Sequence, residues 1–215
     1  MKPHAFGVAS FLVAFAIWAP LSSDAQAIQD GSFEDPAYPP NSINGGGGAQ
    51  WTAGGTGGGS NVFILTNNFG NFGTTPFGNQ YLAFTAPGAS DQQTSSGFLA
   101  GQSYVLSLFI SDVANNAAPQ LQVTLTGAAN ATDTFSVPQT SFLSFQEFEL
   151  PFTTTSDGDI TLALIDVGPA SVAVDNVTLL AVPEPSTVFA MVLVSTVLAG
   201  GAIRRFRNAR YLTRP

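Results

Sequence analysis

The sequence predicts an all-β protein built as an antiparallel β-sandwich, and three observations lead to that prediction. Apolar and polar residues alternate with a period of two in four windows, which is typical of half-buried strands. Gly, Pro, Asn and Asp, the residues that favour turns, bound the β-rich windows. No window before the C-terminal segment has apolar residues at helical spacing. About eight to ten short strands in one chain of this length therefore predict two packed sheets.

The individual strands follow from the alternation and from shorter β-rich runs. Alternation marks residues 104–111, 121–126, 147–152 and 160–164, and shorter runs occupy residues 61–65, 80–84 and 172–180. In the last run Val172 and Val174 share one parity, whereas Val177 and Leu179 share the other. A β-bulge near residues 175–176 would bring both pairs onto one face.

The N-terminus has the three zones of a secretory signal peptide. Lys2 precedes an uncharged apolar stretch over residues 5–20, and a polar region then ends with Ala-Gln-Ala at 25–27. We therefore expect residues 1–27 to be removed and the mature chain to begin near Ile28. The alternative is a buried N-terminal helix.

Residues 28–181 form the predicted sandwich domain, and their charges exclude most site chemistry. They contain twelve Asp and Glu but no Lys, Arg, His or Cys. A Ser-His-Asp triad, a Cys nucleophile, a His-ligated zinc and an Arg clamp on phosphate are therefore excluded within the domain, and so are disulfides. Nucleic acid is an unsuitable partner because its affinity depends on Lys and Arg. Carboxylate chemistry and calcium binding stay open.

A glycine-rich segment spans residues 44–60, where nine of seventeen residues are glycine. Such a composition loses much entropy on ordering and gains little by packing, so a surface loop is predicted. Trp51 lies in its middle. The indole could anchor the loop to the core or stand exposed as a platform for a ligand, and anchoring is the more common use of so large a ring.

The C-terminus, residues 182–215, combines three features in a fixed order. Val-Pro-Glu-Pro-Ser at 182–186 precedes an uncharged apolar run over residues 186–203, about 27 Å long as a helix, which just crosses a bilayer core of about 30 Å. An arginine-rich tail follows at 204–214. Positive charge stays cytoplasmic, so the predicted domain lies on the far side of the inner membrane. The arginines assigned to cytoplasmic retention are Arg204, Arg205 and Arg207.

These features resemble the PEP-CTERM sorting signal of Gram-negative bacteria. Pro183, Glu184 and Pro185 match its motif residue by residue. The resemblance implies recognition by an exosortase, transient anchoring in the inner membrane, and delivery to the cell surface or an extracellular matrix rich in polysaccharide. An unprocessed tail anchor is the alternative, with the same topology.

The two ends of the domain resemble the first and last strands of galactose-binding-like β-sandwich modules, which have a jelly-roll fold. The similar segments are residues 28–34 and residues 174–177. The resemblance implies that the terminal strands are neighbours and that Glu34 and Asp175 hold a structural Ca²⁺. In the competing interpretation Glu34 is a solvated turn residue and Asp175 caps a bulge. No other cofactor is expected.

Three classes of function remain for the exported domain. A non-enzymatic surface or matrix protein, associated with exopolysaccharide, ranks first because it requires no special residue. A lectin-like module would need aromatic rings and polar side chains, for which Trp51, Tyr38 and Tyr81 are the candidates. A glycosidase would need two carboxylates. Glu147 and Glu149 share the predicted outward face of one strand, where they serve solubility, so no catalytic residue is predicted.

Overall fold

Two antiparallel β-sheets form the fold in the computed structural model, which describes residues 28–56, 58–69, 74–113, 117–139 and 144–182. The strands within these ranges are β1 (Ile43–Gly45), β2 (Thr52–Gly55), β3 (Val62–Thr66), β4 (Gln80–Phe84), β5 (Ala89–Phe98), β6 (Ser103–Asp112), β7 (Gln120–Gly127), β8 (Ala131–Ser136), β9 (Gln146–Thr153), β10 (Gly158–Asp166) and β11 (Val172–Val182). Sheet A has the order β1-β3-β4-β11-β6-β9, and sheet B has the order β2-β5-β10-β7-β8. The predicted all-β sandwich is confirmed.

The core lies between the two sheets and is made by alternate residues of the long strands. Every second residue of β6 and β7 is buried, as the period of two requires. The largest side chains that are fully buried include Tyr104, Phe33, Phe84, Phe98, Leu106, Leu108, Ile110, Leu121 and Leu162. Each such side chain contributes about 1.5 to 3 kcal/mol on burial, so this layer supplies the main stabilisation of the fold.

The predicted strands match the observed ones where hydropathy alternates. The windows at 104–111, 121–126, 147–152 and 160–164 correspond to β6, β7, β9 and β10, and the three shorter runs correspond to β3, β4 and β11. The bulge is also confirmed, because the pairing of β11 with β6 shifts register between Asp175 and Thr178. Asn176 adopts a φ of 48° at that point, a conformation that asparagine tolerates well.

Two sequence-based predictions about the first part of the domain were wrong. The glycine-rich segment is not a plain loop, since it contains β2, whose Thr52 and Ala53 pair with β5, and a short 3-10 helix (Gly58–Asn61). Glycine has no side chain to pack, so backbone hydrogen bonds to β5 hold this part of the segment in place. Residues 28–34, expected as the first strand, form turns instead, yet the N–H of Val177 donates to the Gly31 carbonyl at 2.8 Å. The two ends of the domain are therefore neighbours, as expected.

The predicted targeting segments lie outside the described residues. This applies to the signal peptide at 1–27 and to the sorting motif, the apolar run and the arginine-rich tail at 183–215. Within the ranges given above, no helix has the length and apolar character needed to cross a bilayer.

Candidate functional site

A groove of about 440 Å³ opens where residues 34–40 meet the ends of β3 and β4. One aromatic ring, one carboxylate and several amide and hydroxyl groups line it. The lining residues are Glu34, Ala37, Tyr38, Pro40, Thr66, Asn67, Asn68, Thr74, Asn79 and Gln80. Two residues that the sequence singled out, Glu34 and Tyr38, therefore lie on one surface.

Glu34 is held by the backbone at the start of β4. Its Oε1 accepts hydrogen bonds from the N–H groups of Asn79, at 2.7 Å, and Gln80, at 2.8 Å. Gly78 makes this approach possible, because a Cβ there would lie 2.3 Å from Glu34 Oε1 and its φ is +131°. Glu34 is thus held in the groove wall by two backbone hydrogen bonds.

Gln80 positions the segment that carries Tyr38. The Gln80 side chain is buried, and its Nε2 donates to the carbonyls of Phe33, at 2.6 Å, and Pro36, at 3.1 Å. Its Oε1 accepts the N–H of Tyr38. The Tyr38 ring is half-buried and packs against the core. The backbone hydrogen bond and the ring packing together fix the orientation of Tyr38 at the groove.

Residues 67–69 and 74–79, between β3 and β4, contribute to the same groove and are tied to β11. Asn67 Nδ2 donates to the Gly78 carbonyl at 2.9 Å, and Asn67 Oδ1 accepts the N–H of Thr75 at 2.9 Å. Thr75 Oγ1 donates to Asp175 Oδ2 in the interior. The exposed Asn68 and Asn79 are carried on this braced loop, with their side chains at the groove.

Asp175 is a buried carboxyl beside the groove. Burial raises the pKa of Asp175 to about 7, the Glu34 and Asp30 charges act in the same direction, and hydrogen bonds from Thr75 and Asn176 oppose the shift. Asp175 Oδ1 accepts the Asn176 N–H at 2.7 Å, so this residue does cap the bulge, as one of its two interpretations expects.

The proposed calcium ligands, Glu34 and Asp175, are close enough to interact electrostatically. Calcium takes about six to eight oxygen ligands. These two residues supply two carboxylates, both already accepting hydrogen bonds from protein donors. Across the described ranges, no group of three or more acidic, His or Cys side chains could hold a metal ion. Calcium binding by Glu34 and Asp175 stays a prediction.

Trp51 and Tyr81, the other two aromatic candidates, lie inside the protein. Trp51 is 6 % exposed, its ring centroid is 5.2 Å from that of Phe33, and its Nε1 donates to the Asp30 carbonyl at 3.1 Å. It is the anchor of the glycine-rich segment. Tyr81 is fully buried in a second apolar cluster, with its ring edge toward Phe145. Of the three rings, only Tyr38 lines the groove.

The supporting residues of the groove were not predicted from the sequence. Gln80 contacts residues more than 40 positions away, and Thr75 contacts Asp175 across 100 positions. Such partners leave no local signal. The only local sign was the run of asparagines and glycines near the turn, which indicates a loop but not its role.

Comparisons with known proteins find solved structures of similar fold, but no matching family model or curated sequence. Among solved structures it is similar to TmCBM61 in complex with β-1,4-galactotriose, with a TM-score of 0.47, 14% identity and coverage of 62% of this chain and 90% of that one. It is similar to a xylan-binding domain from CBM 22, with a TM-score of 0.47, 14% identity and coverage of 74% and 96%. The CBM22-1 xylan-binding domain of Paenibacillus barcinonensis Xyn10C gives a TM-score of 0.44, 14% identity and coverage of 67% and 95%.

Proposed function

We propose that the β-sandwich is a non-enzymatic carbohydrate-binding domain and that the groove beside Tyr38 is its binding site. The observation that carries the proposal is the lining of that groove. A tyrosine ring can stack on the apolar face of a sugar, while Glu34, Asn68 and Asn79 offer oxygens and amides to its hydroxyls. A volume of about 440 Å³ falls within the usual range for small-ligand sites, about 300 to 1,000 Å³.

The charge of the domain restricts the sugar class to neutral glycans. Glu34 is the one carboxylate in the lining, and residues 28–181 contain no Lys, Arg or His that could neutralise an acidic sugar. A uronate or a sulfated sugar would meet negative charge without a counter-ion. Neutral glycans, whose hydroxyls both donate and accept hydrogen bonds, avoid that repulsion.

The absence of a paired carboxylate in the lining supports binding rather than hydrolysis. Glycosidases use two carboxyl groups about 5 to 9 Å apart. Among the described residues the lining holds only Glu34, and the neighbouring Asp175 is buried and accepts hydrogen bonds from Thr75 and Asn176. Glu147 and Glu149 lie exposed on the outward face of β9, and Ser107 Oγ donates to Glu147 Oε1 at 2.8 Å. Their position suits solubility.

Isothermal titration with neutral galactan, xylan, glucan and the host exopolysaccharide tests the proposal. We expect heat with at least one glycan, lost in Tyr38→Ala and Asn79→Ala and retained in Tyr81→Phe. The last variant is a matched control because Tyr81 is buried away from the groove. Absence of heat with every glycan would contradict glycan binding. Binding by Tyr38→Ala equal to that of the wild type would contradict the groove as its site.

We also propose that the C-terminal signal delivers this domain to the cell surface or the extracellular matrix. The support is the sequence alone, in which Pro183, Glu184 and Pro185 precede an apolar run and an arginine-rich tail. An exosortase would release the domain from the inner membrane near that motif. Mass spectrometry of the mature C-terminus, in wild-type and exosortase-deficient strains, tests this step. An intact polypeptide with its leader in the cytoplasm would contradict it.

A further inference from the structure

Exposed apolar side chains gather at the end of the sandwich where β11 finishes. Leu180 is 65 % exposed, Val182 is 41 % exposed, and Leu99, in the loop before β6, is 53 % exposed. These residues lie at the same end of the sandwich. Val182 pairs with Ser103 at the start of β6, and Ser103 follows Leu99 by four residues. Large apolar side chains that remain exposed together mark an interaction surface more often than single ones do.

Strand pairing extends this end into a row across three strands. Leu180 pairs with Val105 of β6, and Val105 pairs with Pro151 of β9. All three have the parity that faces away from the core, and Leu180 and Pro151 are exposed. We call Leu99, Val105, Pro151, Leu180 and Val182 the apolar end. Glu149, the next outward-facing residue of β9, is charged and marks the boundary of this apolar surface.

The chain length after β11 places the apolar end close to the predicted anchor. Val182 is the last described residue, and the predicted membrane span starts at Ser186. The four residue-to-residue steps from Val182 to Ser186 reach at most about 14 Å when fully extended. Whenever the span is in the bilayer, Val182 therefore lies within about that distance of the membrane interface.

We propose that the apolar end rests on the lipid bilayer while the chain is anchored, so that the domain has a fixed orientation on the membrane. The proposal rests on the anchoring step proposed above. Leu180, Val182 and the neighbouring row enter the interfacial region, where apolar side chains gain by leaving water. Glu149, one step further along β9, stays in solution.

Acidic groups near the apolar end determine which side meets the lipid. Asp157, in the turn before β10, and Asp159, the second residue of β10, are both exposed, and Asp157 Oδ1 accepts the N–H of Ala100 at 2.7 Å. Anionic lipids repel these carboxylates. The domain therefore leans toward the outward face of sheet A, which bears Leu180 and Val105.

Single-cysteine labelling of the full chain tests this orientation. The natural sequence has no cysteine, so Leu180→Cys and Leu99→Cys each provide one site for an environment-sensitive nitrobenzoxadiazole label. Val167→Cys is the matched control, because Val167 is also apolar and 41 % exposed but lies between β10 and β11, at the opposite end. Each labelled chain is reconstituted into phosphatidylethanolamine and phosphatidylglycerol vesicles that contain nitroxide lipids.

We expect a blue shift and loss of emission at position 180, water-like emission at position 167, and an intermediate response at position 99, which lies beside the Asp157 carboxylate. Equal, water-like emission at all three positions in chains that float with the vesicles would overturn the proposed orientation while leaving anchoring intact. Chains that fail to float would contradict the anchoring step, and the orientation with it. The two failures are therefore distinguishable in one experiment.

Discussion

Gly47 lies directly against the buried carboxyl group of Asp91. A Cβ at position 47 would lie 1.9 Å from Asp91 Oδ2, so no side chain fits there. Asp91 Oδ2 is buried without a hydrogen-bond partner among the described residues, and burial raises the pKa of Asp91 to about 7. The glycine-rich segment therefore covers an interior carboxyl group.

Gly47→Ala should destabilise the domain through this close contact. Overpacking of a filled interior costs about 1 to 3 kcal/mol, and the free energy of unfolding should fall by that amount. Urea denaturation measures it. Gly45→Ala is the control, since nothing lies within 4 Å of a Cβ at that position. Equal stabilities of the two variants would contradict the packing of Gly47 on Asp91.

Stability should fall as the pH rises from about 4 to 7. Burial raises the pKa of Asp91 to about 7 and that of Asp166 to about 6, whereas an unfolded Asp titrates near about 4. Between these pH values the folded state binds more protons than the unfolded state. For each extra proton bound by the folded state, the free energy of unfolding falls by up to about 1.4 kcal/mol per pH unit. Denaturation midpoints across that range measure it. Asp91→Asn should make the slope smaller, while Asp166 and Asp175 maintain the rest of it. An unchanged slope in that variant would contradict the contribution of Asp91.

Thr75→Val should weaken both the fold of the domain and the proposed glycan binding. The substitution keeps the shape of the side chain but removes the hydrogen bond to Asp175, and bonds to charged groups are worth about 1.5 to 3 kcal/mol. The segment that carries Thr75 and lines part of the groove then loses its tie to β11. Unfolding and titration at pH 8, where Asp175 is mainly ionised, measure the two effects. Thr134→Val, on exposed β8, should change neither.

Trp51→Phe separates the anchoring role of the indole from ligand binding. The variant loses the hydrogen bond to the Asp30 carbonyl and part of the contact with Phe33, so the thermal midpoint should fall by several degrees. Affinity for a glycan bound in the groove should stay unchanged. A selective loss of affinity at unchanged stability would instead support Trp51 as a binding platform.

The sequence predicted those strands whose two faces differ in hydropathy. Residues of β6, β7 and β10 alternate clearly, whereas β5 was missed because its inward face carries Asp91, Gln93 and Ser95. Gln93 is satisfied by distant backbone, since its Nε2 donates to the carbonyls of Gln29, at 2.7 Å, and Gln50, at 3.2 Å. Buried polar contacts of this kind depend on the finished fold and have no period that can be read along the chain.

The candidate site was predicted only in part for the same reason. Glu34 and Tyr38 stood out as an acidic and an aromatic residue, and the structure places both at the groove. Composition could not distinguish Tyr38 from Tyr81, because the two differ only in that Tyr81 is fully buried and Tyr38 is half-buried. The roles of Gln80 and Thr75 arise from hydrogen bonds between segments 42 to 100 residues apart.

Strand β9 has a consequence for how many copies of this domain could assemble. It is an edge of sheet A, and Pro151 within it has no N–H to offer an incoming strand, while Glu147 and Glu149 add negative charge to the same rim. Continuous sheets running from molecule to molecule are disfavoured along that rim. Copies of the domain are therefore not expected to join one another by adding a strand at β9, however concentrated they are.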